Sequence, residues 1–239
     1  MKPFLLNPDP APQVYERLWT EALSRFSQGQ VELDPHLLNP ERDFRRGISL
    51  IARPNPAVAE QFTKLINELK ALEPEQYFYQ PEDFHLTILS LISAATSFEC
   101  QQTPLDAYHP ILAPLFAQTR PFIISFRGVT ASAGAVMAQG YADQNRLNEL
   151  RDAIRQALQP AGLADHLDRR YKISTAHITL MRFQSPPRDL PRLITALTAA
   201  RSRLFGQTTI ARLEFVINDW YMSRDKVQMV ATYPLHSES

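Results

Sequence analysis

The sequence predicts an α+β protein of two interleaved lobes, each a small, mostly antiparallel sheet with helices on one face. Three observations predict it. Stretches with apolar residues at alternate positions are interspersed with stretches at helical spacing. A strand, helix, hairpin order occurs twice along the 239 residues. One phrase, apolar, His, apolar, Thr, apolar, apolar, stands in both halves, as FHLTIL (84–89) and AHITLM (176–181).

The elements follow in order. Residues 1–45 read as an extension, proline-rich at first and then carrying Val14, Leu18, Trp19, Leu23 and Phe26 near helical spacing over 12–28. ISLIARP (48–54) reads as a strand. In the stretch after it, Val58, Phe62, Leu65, Ile66 and Leu69 mark one face of a helix. YFYQPEDFHLTILSLIS (77–93) reads as one long strand, 104–118 as a helix, and 121–141 as two strands turning at Ser132-Ala133-Gly134. In the second half, Leu147, Leu150, Ile154 and Leu158 define a helix face that stops at Pro160 and Gly162. Then come a strand over 171–183, a helix over 187–200, and a hairpin over 208–235 turning near Ser223-Arg224-Asp225.

Composition narrows the function classes. Net charge is zero, with 25 basic and 25 acidic residues, which argues against a globally basic polyanion binder. The halves nevertheless differ: residues 1–119 carry 9 basic and 15 acidic residues, and 120–239 carry 16 and 10. Arg outnumbers Lys twenty to five, and a planar guanidinium suits bidentate contact with phosphate. The single Cys100 excludes an internal disulfide and a multi-cysteine metal site, so a reducing, cytoplasmic setting is expected. The apolar patch near the start is too short for a signal-peptide core, and no later run reaches the length of a membrane span. HExxH, paired cysteines, a phosphate-cradling glycine loop, a GxSxG elbow and a dinucleotide fingerprint are all missing.

The repeated phrase carries the chemistry. On a strand, His85 and Thr87 share one face, as do His177 and Thr179, while their apolar neighbours anchor the other face. Of six histidines, only these two have Ser or Thr two residues on. Paired imidazoles can act as base and acid near neutral pH, and Thr hydroxyls can hold phosphate oxygens without a metal. Arg182 follows the second motif, where the first has Ser90, and strict alternation turns Arg182 away from His177. The aromatics Tyr77, Phe78 and Tyr79 read as strand core ahead of a base-stacking platform, and RDFRRG (42–47) as a solvated charge cluster.

FHLTIL and AHITLMRF resemble the paired His-x-Thr motifs of the 2H phosphoesterase superfamily, which includes 2′,5′-RNA ligase-like proteins and cyclic nucleotide phosphodiesterases. The resemblance runs from about residue 46 to 235. It implies a single bilobal catalytic domain over 46–235, two mostly antiparallel sheets with outer helices around a central cleft, and leaves residues 1–45, an N-terminal extension with a packing helix, outside it. It further implies metal-independent chemistry without a cofactor on a 2′,3′-cyclic phosphate or an RNA-terminal or 2′,5′-linked phosphoester. His85 and His177 would then be the acid–base pair, with Thr87, Thr179 and Arg182 holding the phosphate. A monomer with a nucleotide or RNA-end substrate, no membrane association and no obligatory protein partner is expected. Two rival readings use the same residues: a nucleotide-binding module without turnover, and a sugar isomerase that moves protons with its imidazole pair.

Overall fold

The computed structural model describes residues 10–98, 103–167 and 172–236. Cys100, the first nine residues and Tyr171 lie outside them. Nine strands and five α-helices are found among the described residues: α1 (Ala11–Phe26), β1 (Arg46–Ala52), α2 (Pro56–Leu72), β2 (Tyr77–Phe78), β3 (Leu86–Ala95), α3 (His109–Ala117), β4 (Phe122–Ser132), β5 (Ala135–Ala142), α4 (Arg146–Leu158), β6 (Ile178–Arg182), α5 (Leu190–Ala199), β7 (Leu204–Ile210), β8 (Arg212–Asn218) and β9 (Gln228–Pro234). They build two antiparallel sheets, one ordered β3-β1-β8-β9 and the other β2-β6-β5-β4-β7. One apolar cluster runs between sheets and helices, joining Phe62 and Leu65 of α2, Leu50 of β1, Phe126 of β4, Leu180 of β6 and Phe215 of β8. The fold is the α+β arrangement of two antiparallel sheets that the alternating patterns imply.

Four stretches differ from the expectation. The long strand over 77–93 is broken. β2 pairs with β6 in the second sheet, a short 3-10 turn follows at Pro81–Asp83, and β3 begins in the first sheet. Pro81 removes a ladder donor and suits a helical first turn, so the chain changes sheets here. The hairpin over 208–235 loses its first three residues to β7, which pairs with β4, and only β8 and β9 form the ribbon. The strand over 171–183 narrows to β6, and residues 172–177 approach it without ladder pairing. Helix 104–118 is a 3-10 turn, Leu105–Ala107, followed by α3.

Helix α1 also turns a different face inward. Ala11, Tyr15, Trp19, Ala22 and Phe26 are buried, while Val14, Leu18 and Leu23 flank them. Tyr15 carries a hydroxyl into the interior because partners wait there. It donates to Gly140 O at 3.0 Å and accepts from Ala176 N at 2.9 Å and Gly140 N at 3.2 Å. Gly140 is required at this crossing, since a Cβ on it would lie 2.1 Å from Ala176 O.

Candidate active site

Both motif histidines stand one residue before a strand, His85 ahead of β3 and His177 ahead of β6. Both strands then do something that simple alternation does not foresee. In β6 the register with β5 runs Ala135↔Arg182, Val136↔Met181 and then Met137↔Thr179, so Leu180 is an extra residue. In β3 the register with β1 runs Ile51↔Thr87 and then Leu50↔Leu89, so Ile88 is the extra one. Such a β-bulge reverses the alternation beyond it. Thr179 and Arg182 therefore face the same side, as do Thr87 and Ser90, and each intervening pair, Leu180-Met181 and Ile88-Leu89, is buried. The expectation that Arg182 points away from His177 is thus corrected by a bulge, whose trace in the sequence is two consecutive apolar residues after each Thr.

The consequence is one cleft. His85, Thr87, His177, Thr179 and Arg182 all line it, together with Tyr79, Ser49, Ser90, Ser93, Asn218 and Trp220, around a volume of about 190 Å³. All five residues singled out by the repeated phrase meet there. Arg182 is fixed by Tyr79, whose hydroxyl accepts from Nε at 3.0 Å. Its guanidinium also stands 6.0 Å from the Trp220 ring centroid and 5.8 Å from that of Tyr221. Tyr79 is therefore a support for the cleft's cation as well as a core residue, 2% exposed.

Each imidazole has its own backing. His85 Nδ1 donates to Asp83 O at 2.8 Å, and since a carbonyl only accepts, Nδ1 carries the proton and Nε2 is the nitrogen left for chemistry. Arg53 braces that turn, donating to Glu82 O at 2.7 Å while its Nε pairs with Glu214 at 2.9 Å. His177 Nδ1 meets the Thr175 hydroxyl at 2.8 Å, a group able to donate or accept. Behind both motifs sits Arg151 of α4, 0% exposed, donating to Ile88 O at 2.7 Å, Thr87 O at 3.0 Å and Thr175 O at 2.8 Å. One buried guanidinium thus ties the bulge of the first motif to the hydroxyl-bearing residue that holds His177.

These surroundings favour neutral imidazoles. Desolvation lowers His85 to about 4, against its backbone hydrogen bond to Asp83, with help from Arg53 and Arg182. Desolvation also lowers His177 to about 4, followed by the charge of Arg151, then His85 and Arg182. A bound anion would reverse that balance by favouring the imidazolium.

Sequence reasoning misses Tyr15, Arg151 and Thr175, because nothing local marks a buried Arg or Tyr as a brace for a distant strand. It also misplaces Arg45. Instead of a solvated charge, Arg45 pairs with buried Asp43 at 2.6 Å and covers the ring of the cleft residue Trp220 at 4.7 Å. Tyr141 lies elsewhere, stacked under Arg127 at 4.6 Å. Among the described residues no group of three or more His, Cys, Asp or Glu side chains is placed to hold a metal ion.

Two antiparallel sheets, each with a bulged strand that carries a Thr and is led into by a His, define the architecture of a 2H phosphoesterase. A model of the 2′-5′ RNA ligase superfamily matches residues 54–219, and the chain belongs to that superfamily, for which phosphoesterase chemistry is the general activity. TT0787 of Thermus thermophilus shares the fold with a TM-score of 0.60 at 17% identity, over 81% of this chain and 100% of that one. A structure described as a phosphoesterase gives 0.53 at 12% identity, over 81% and 99%. Escherichia coli LigT complexed with NADP+ gives 0.52 at 11% identity, over 81% and 99%. No curated protein matches the sequence. No helix among the described residues is long and apolar enough to cross a membrane.

Proposed function

We propose that the protein is a metal-independent phosphodiesterase that opens a 2′,3′-cyclic phosphate or cleaves an RNA-terminal or 2′,5′-linked phosphoester, with His85 and His177 as the acid–base pair. The observation that carries this reading is the convergence of two imidazoles, two Thr hydroxyls and Arg182 on one cleft. His85, with Nδ1 committed to a carbonyl, offers the Nε2 lone pair and is the base. It takes the proton of the attacking water as the new P–O bond forms. His177, whose Thr175 partner can donate or accept, is the acid: it gives its proton to the leaving ribose oxygen as the old P–O bond breaks. Thr87, Thr179 and Arg182 hold the non-bridging oxygens, where charge grows in the transition state.

Neutral imidazoles in the free protein fit this scheme, because the anionic substrate itself raises His177 into the charged form it needs. The structures of LigT with NADP+ and with 3′-AMP show that a protein of this fold takes nucleotides, which supports a nucleotide or RNA end as substrate here. The reading includes a cytoplasmic monomer without an obligatory protein partner. The test is hydrolysis of nucleoside 2′,3′-cyclic phosphates and 2′,5′-linked dinucleotides with and without EDTA. Turnover that survives EDTA and disappears in H85A and H177A is expected, and turnover abolished by EDTA alone would sink the metal-free scheme.

A further inference from the structure

The two halves of the cleft are matched down to their bulges, yet one carries Arg182 and the other a serine at the same place. We infer that Ser49, Ser90 and Ser93 form a subsite for an uncharged, hydroxyl-bearing group of the substrate, its ribose, on the first-motif wall of the cleft. The inference rests on the phosphoester reading above and deepens it.

Register places the first two serines side by side. Ser90 stands to Thr87 as Arg182 stands to Thr179, and Ser49 of β1 is its direct partner across the ladder. Ser93 continues the same wall. Ser49 is 4% exposed, and its hydroxyl bonds to no other side chain or backbone group among the described residues, nor do those of Ser90 and Ser93. Among the described residues of this lining, the buried polar atom without a hydrogen-bond partner is Asn218 Oδ1, an acceptor on the same cleft as the three open hydroxyls, so the cleft surface is poised to be completed by something that enters.

The chemistry of the wall says what kind of group that is. Apart from Arg182 and the two imidazoles, the cleft lining carries no charged or titratable-at-neutrality side chain, and Leu89, Ala94, Ile173, Met222 and Asn218 complete it. A second phosphate there would be desolvated without a cation, whereas Arg182 supplies one at the matched position of the other motif. A serine hydroxyl both donates and accepts, as does a sugar hydroxyl, so neighbouring serines suit a ribose better than a group of one polarity. Arg182 and the serine wall therefore give a pseudo-symmetric site a direction, with the cation turned to the non-bridging oxygens of the phosphate and the serine hydroxyls to the sugar.

The test compares two probes on the full chain, inorganic phosphate and adenosine 2′-monophosphate, by titrating the NMR signals of the two motif imidazoles. In S49A/S90A/S93A, affinity for the nucleotide should fall about tenfold while affinity for phosphate stays within about twofold of wild type. Unchanged nucleotide affinity, or an equal loss for both probes, overturns the subsite. As a second variant, S90R places the cation of the second motif in the first, and should weaken the nucleotide while strengthening pyrophosphate. Nucleotide affinity preserved in S90R also counts against the proposal. If the wild-type protein binds no nucleotide, the subsite and the phosphoesterase reading fall together; cyclic-phosphate turnover with nucleotide affinity indifferent to all three serines removes the subsite alone.

Discussion

The two motif strands are alike in shape and unlike in support. Both present His, then Thr, then a bulge that brings a third polar residue to the same side. Behind the first, Asp83 O holds the imidazole and Arg53 braces the turn. Behind the second, Thr175 holds the imidazole, and Tyr15 from α1 takes the Ala176 N–H immediately before it. Repetition in the sequence builds a symmetric frame, and side chains from unrelated elements then make its two ends chemically different.

The sharpest way to break this comparison is to remove each imidazole in turn. H85A and H177A should each lower turnover of a cyclic phosphate by roughly 10²–10⁴. A substrate with a p-nitrophenolate leaving group should restore much of the loss in H177A, because a good leaving group needs no acid, and little of it in H85A. Equal rescue of both variants, measured as kcat on the two substrates, would erase the assigned difference between the halves.

Arg151 serves both motifs, so its loss should damage them together. R151M leaves the carbonyls of Thr87, Ile88 and Thr175 without this donor and should cost about 2–4 kcal/mol in denaturant unfolding. Imidazole signals of both His85 and His177 should shift in the folded fraction. A shift in only one would mean that Arg151 supports only that half.

Tyr15 serves only the second motif. Y15F removes a hydroxyl that answers two backbone N–H groups and should cost about 1–2 kcal/mol. In an NMR titration His177 should be perturbed and His85 left nearly as it was; the reverse result would contradict the division of supports drawn above.

A pH dependence is shared by both ends. Each imidazole titrates near 4 when folded and near 6.5 when unfolded. Between these values the unfolded chain binds more protons, so stability rises with pH through that window and its contribution is complete above about 6.5. Melting temperature should therefore climb from pH 4 to 7, and this slope should flatten in the double variant H85A/H177A. An equal slope in wild type and variant would place the responsible groups elsewhere.

Much of the frame was legible in the chain. Helix α2 matches its apolar face residue for residue, because a helix packed on one side imposes its period on the sequence. The turn between β4 and β5 was marked by Gly134, and the five cleft residues by a phrase repeated ninety-two residues apart. Where expectation failed, the deciding partner was far away in sequence. The buried face of α1 departs from the apolar spacing because Tyr15 is held by Gly140 and Ala176, and Arg45 departs from a solvated charge because it lies over Trp220 of a distant loop.

By itself, then, the sequence determined the kinds of element, the α+β class and the identity of the paired His and Thr, since alternation and helical spacing are local consequences of backbone geometry. The tertiary structure alone decided that the chain changes sheets at Pro81, that a bulge turns Arg182 and Ser90 into the cleft, and that Arg151 and Tyr15 brace strands remote from them. Those outcomes depend on ladder register and on which buried polar group finds a partner, and both are settled only when distant segments meet.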